Sequence, residues 1–101
     1  MRFTIWQMPK SLWHKNHGVF DKDTPVRIGD YCSVWTDALV NDEGNEVASC
    51  YTTHQMLNYI FKKFNLNHPR NYAGRSLSAG DIVEIDGERY LCCSTGWSKL
   101  H

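Results

Sequence analysis

A chain of 101 residues, 42% apolar and 13% aromatic, has the size of one domain and enough apolar volume for a packed core, which excludes a disordered chain. Eleven Lys and Arg balance eleven Asp and Glu for a formal net charge of zero, so no long-range field draws it to phosphate backbones or anionic lipid. No stretch approaches the roughly 20 apolar residues of a membrane span, and no basic segment followed by an apolar run opens the chain; the expected location is cytoplasmic. In that compartment its four cysteines are expected as reduced thiols or metal ligands, because the glutathione pool makes structural disulfides rare.

The first expected element is a strand over residues 2–7 (RFTIWQ), where Phe3 and Ile5 alternate with Thr4 and Trp6. Residues 8–30 contain Pro9, Gly18, Pro25 and Gly29 and read as a long loop with one helical turn near residues 11–15. A loop of that length is either functional or fastened to the core by its aromatics, here Trp13 and Phe20. Residues 31–40 alternate as a second strand, with Cys32 at mid-strand, and stop at the turn cluster Asn41-Asp42-Glu43-Gly44.

Thr52 followed by Gln55 forms a capping box, so a helix is expected over residues 52–65. Leu57, Ile60, Phe61 and Phe64 recur at helical spacing and place one apolar stripe against a sheet. Asn65 is the expected left-handed cap, and Pro69 forbids continuation. Residues 81–93 read as a hairpin around Asp86-Gly87, a pair that tolerates the positive φ angles of a two-residue turn. In that register Glu84 faces Arg89 and Val83 faces Tyr90. Gly96-Trp97 turns the chain into a last short strand. The expected fold is α+β: a small antiparallel sheet of about four to five strands packed on one amphipathic helix, in a single domain over residues 1–101.

The second half, with Phe64-Asn65, Pro69, Tyr72, Arg75, Ser76-Leu77-Ser78, Gly80-Asp81 and Gly96-Trp97, resembles the YodL-like domain over roughly residues 60–100, with a weaker echo in MRFTIWQM. The resemblance implies a small module of bacteria, phages and mobile elements, with no shared catalytic residues. Ser76, Ser78 and Asp81 read as scaffold, with Ser78 and Asp81 bonding backbone in a tight turn and Gly80 relaxing it. Residues 8–50 do not fit the family pattern by inspection, so the special function is expected there.

Two constellations are candidates for that function. Cys32, Cys50, His54 and one of Cys92 or Cys93 supply thiolates and an imidazole, the ligand types of a closed structural zinc site that steadies small domains. No Cys-x2-Cys knuckle accompanies them, and isolated cysteines commonly serve as small hydrophobes. Trp6, Trp13 and Phe20 are the candidate partner-binding aromatics. There is no Gly-x-Ser-x-Gly elbow, phosphate-cradling glycine loop or His-Glu-x-x-His helix, so no enzymatic activity is expected.

The expected function is therefore a non-enzymatic phage or mobile-element protein that binds and inhibits a bacterial host protein, most specifically an anti-CRISPR acting on a Cas effector. The alternative is a small nucleic-acid-binding or regulatory module, which zero net charge disfavours.

Overall fold

The computed structural model describes residues 2–15, 19–40 and 52–100. Strand β1 (Arg2–Gln7) is followed by a short helix α1 (Lys10–Lys15), a single 3-10 turn (Ile28–Asp30), β2 (Cys32–Ala38), helix α2 (Thr53–Leu66), β3 (Ile82–Ile85), β4 (Glu88–Cys93) and β5 (Gly96–Lys99). The five strands form one sheet in the order β2-β1-β3-β4-β5, each pair antiparallel. This is the α+β architecture that the alternation and the helical stripe predict.

Local chemistry explains the best-defined elements. At the start of α2 both bonds of the capping box form: Gln55 N–H donates to Thr52 Oγ1 at 3.1 Å, and Thr52 N–H donates to Gln55 Oε1 at 2.9 Å. Each removes one of the backbone donors that a helix start leaves open. The β3–β4 hairpin has the predicted pairs Val83–Tyr90 and Glu84–Arg89, and its turn places Asp86 at φ 50° and Gly87 at φ 84°. Arg89 Nε lies 2.8 Å from Glu84 Oε1, so the cross-strand pair is also an ion pair.

Adjacent strand residues face opposite sides, and both sides of the sheet are covered. Phe3, Ile5, Val83 and Ile85 pack with Met56, Leu57, Ile60 and Phe64 of α2 and with Leu77. Ile82 and Leu91 face the other way, toward Met8, Phe20 and Tyr31, with Leu12, Trp13, Val26 and Ile28 around them. The long segment between β1 and β2 is thus a second covering layer that supplies its own core.

Several expectations change. The buried face of α2 is Met56, Leu57, Ile60 and Phe64, rotated away from Phe61, which is 36% exposed and meets Trp97 edge to face at 6.3 Å. Asn65 lies inside α2; the helix ends at Asn67, whose φ of −154° is not left-handed. Cys32 opens β2 instead of lying mid-strand, and β2 buries neither face well because it is a sheet edge with a register shift opposite Ile5/Trp6.

Gly80 shows how tightly the second layer is fastened. Its φ of +99° suits glycine, and a Cβ there would stand 2.6 Å from the Phe20 ring. Gly80→Ala is expected to destabilise the fold by about 2 kcal/mol or more, through the strained backbone and the displaced ring. Urea unfolding followed by tryptophan fluorescence measures it.

Candidate functional site

Asp81 is fully buried, which a carboxylate tolerates only with strong hydrogen-bond donors around it. It stands in the turn just before β3. Ser78 N–H donates to its Oδ2 at 3.0 Å, Gln7 Nε2 donates to the same oxygen at 3.1 Å, and Arg75 Nη2 lies 3.4 Å from Oδ1. Gln7, also buried at the end of β1, grips the backbone of Arg75 with both ends of its amide: Oε1 accepts from Arg75 N–H at 3.0 Å and Nε2 donates to Arg75 O at 3.0 Å. Arg75 reaches on to Met8 O at 3.2 Å and lies over the Trp13 ring at 5.9 Å.

Tyrosines complete the network. Tyr31 donates to Gly80 O at 2.7 Å, and Tyr72 donates to Arg75 O. Burial and the nearby Asp81 charge hold both phenols protonated, with Tyr72 pushed up to about 12. These partners fasten residues 75–81 to both cores, as expected for a scaffold role of Ser78 and Asp81.

Beside this scaffold lies an open hollow of about 600 Å³, lined by His54, Asn58 and Phe61 of α2, by residues 77–79, by Cys92 and Cys93, and by residues 94–97. A second hollow of about 550 Å³ shares His54, Cys93, Thr95, Gly96 and Trp97 with it and continues along β5 to Ser98, past Asp21, Lys22 and Asp23. The two form one groove around the β4–β5 turn.

The groove brings together three of the five candidate metal ligands. His54 is exposed at its rim, not on the buried face of α2, because the helix is turned toward Met56 and Ile60. Cys92 and Cys93 point to opposite sides of β4, toward the α2 layer and the loop layer respectively. Cys32 is on β2 with β1 and β3 between it and Cys92, about 14 Å away at the usual strand spacing, whereas thiolates sharing a zinc each lie about 2.3 Å from the metal. Cys50 lies outside the described residues. Among the described residues, no group of three or more His, Cys, Asp or Glu side chains is placed to hold a metal ion. The thiols at Cys32, Cys92 and Cys93 are free. Burial pushes Cys92 up to about 12, and burial together with the Asp21 charge raises Cys93, so neither is poised as a thiolate nucleophile.

The chain belongs to the YodL-like domain family. The sequence model of that domain matches residues 3–100, far beyond the 60–100 stretch in which the likeness is visible by inspection, and it includes residues 8–50. The segment expected to stand outside the family pattern is therefore part of the YodL-like domain. No curated protein and no solved structure matches significantly.

The YodL-like fold also assigns the candidate partner-binding aromatics. Phe20 has no exposed surface; its ring abuts Gly80 and its carbonyl accepts from Ser94 N–H at 2.9 Å. It is a core residue, with no ring face left for a partner. Trp13 is half-buried and donates through Nε1 to Ala79 O at 2.8 Å. Trp6 is half-buried beneath the Arg89 guanidinium, 6.0 Å from its ring centre. The signals sequence reasoning missed are Gln7 and Arg75: their roles depend on residues 68 positions apart meeting, which no local spacing encodes.

Asp81 makes this site pH-dependent. Burial raises its pKa from 3.8 to about 6, against the lowering effect of Ser78, Arg75 and Gln7. The native chain therefore holds this proton more tightly than the unfolded chain does. The contribution is full below the unfolded value and is lost as pH rises through the native one. Relative to Asp81→Asn, the wild type should lose up to about 3 kcal/mol of stability over that window, measured as the difference between the two proteins' urea unfolding curves at acid and neutral pH.

Proposed function

We propose that this protein is a non-catalytic binding module of the bacterial cytoplasm that acts by engaging and inhibiting a host protein, with a Cas effector as the most specific form of that partner. The observation that carries this reading is the chemistry of the groove. Its thiols are held protonated, and its lining sets the apolar Phe61, Leu77, Ala79 and Trp97 among the polar His54, Asn58, Ser94 and Thr95, with Asp21, Lys22 and Asp23 at one end. That is the makeup of a recognition surface, in which apolar contacts give affinity and a few polar groups give orientation. The buried ionisable groups Asp81, Tyr31 and Tyr72 are consumed in fastening the layers together. The host-inhibitor component rests on the setting that the YodL-like resemblance implies, phages and mobile elements, where a small stoichiometric blocker is the simplest mode of action.

Affinity capture from bacterial lysate tests it. Tagged full-length protein should repeatedly retain one host protein in near-equimolar amount, and adding the purified chain should inhibit that protein's activity. Repeated capture with no partner, or salt-sensitive retention of RNA or DNA instead, would overturn the reading.

A further inference from the structure

β5 is the outermost strand on its side of the sheet among the described residues. Its hydrogen-bonding parity follows from its pairing: Leu100 N–H donates to Arg89 O at 2.8 Å, and Ser98 stands opposite Leu91. Antiparallel pairs alternate between bonded and non-bonded positions, so Ser98 and Leu100 turn their backbone groups toward β4. Trp97 and Lys99 turn theirs outward, an open row of donors and acceptors that only another extended backbone matches.

The groove runs beside this row. On the α2 side it offers Phe61, Leu77 and Trp97 around the larger hollow, a volume in the range that holds a bulky side chain. At the β4–β5 turn the described lining carries Asp21 and Asp23 beside Lys22, a net negative end. A lysine on a strand edge commonly discourages pairing, but the Lys99 ammonium is drawn to 2.9 Å from Glu88 Oε2, which offsets its charge and leaves the backbone accessible.

We propose that β5 takes an extended segment of the partner protein as a sixth strand, with one bulky apolar side chain of that segment in the Phe61–Leu77–Trp97 hollow and a basic side chain toward Asp21 and Asp23. This rests on the reading of the protein as a binding module and supplies the surface and the kind of ligand. The backbone row gives affinity that depends little on sequence, and the hollow and the acidic end select the sequence.

The test selects linear peptides from a phage-displayed library against the purified full chain. Enriched peptides are expected to combine a bulky apolar and a basic residue, and to slow hydrogen exchange at the Trp97 and Lys99 amides. Lys99→Pro removes one outward N–H without touching a β4–β5 backbone hydrogen bond, though it also removes the cross-strand ion pair with Glu88, and should weaken these peptides by roughly tenfold; Asp23→Lys should weaken them further at low salt. The proposal is overturned if no peptide is enriched, or if enriched peptides bind Lys99→Pro undiminished. It is equally overturned if the wild type is a dimer that Lys99→Pro makes monomeric, since a second copy would then own the edge. Should Lys99→Pro fail to fold, exchange at the two wild-type amides decides alone, and unprotected amides refute the proposal. A host protein retained equally by Lys99→Pro would refute this surface while leaving the binding function intact.

Discussion

Asp81 is a carboxylate with no access to water, and its solvation by protein is the constraint around which the molecule is organised. Its donors come from the end of β1 and from the segment ahead of β3. Each must be in place before the charge can be buried at tolerable cost, because a buried charge that loses a partner is far more expensive than one never buried. The network therefore links parts of the chain that no local interaction would hold together. Through Arg75 over Trp13, and Tyr31 on Gly80, the same network fastens the loop layer to the sheet.

This arrangement shapes the groove. Residues 77–79 form one of its walls, and they are held by Asp81 through Ser78 and by the Trp13 indole through Ala79. The turn of β4 into β5 is held from the other side, where Ser94 donates to Phe20. A wall fixed by such hydrogen bonds has little conformational freedom left to lose. Trp13 and Phe20 of the long loop thus support the groove from behind instead of lining it.

Much of the fold was legible because its determinants are local. The Thr52–Gln55 box, the Asp86-Gly87 turn and the Glu84–Arg89 pair each involve residues a few positions apart, and each appears in the structure as the spacing predicts. The candidate site was less legible. His54 shares helical spacing with Leu57 and Phe61, yet small rotation of α2 about its axis decides which side of an apolar stripe is buried, and that rotation is set by the sheet beneath it. Phe20 looked like an anchor because it lies in a loop; it is buried because glycine at position 80 leaves room for its ring.

A helix on an antiparallel sheet, and the ends of most elements, were already written in the chain, since periodicity, capping and turn chemistry act over a few residues. So were the residues able to form a tight turn before β3. Long-range packing alone makes the loop between β1 and β2 a second core layer, brings Gln7 and Arg75 to Asp81, holds Cys32 far from Cys92 and, among the described residues, leaves β5 outermost in the sheet. Those outcomes depend on which distant segments become neighbours across the sheet, and strand order, unlike strand formation, is not written in the spacing of any one segment.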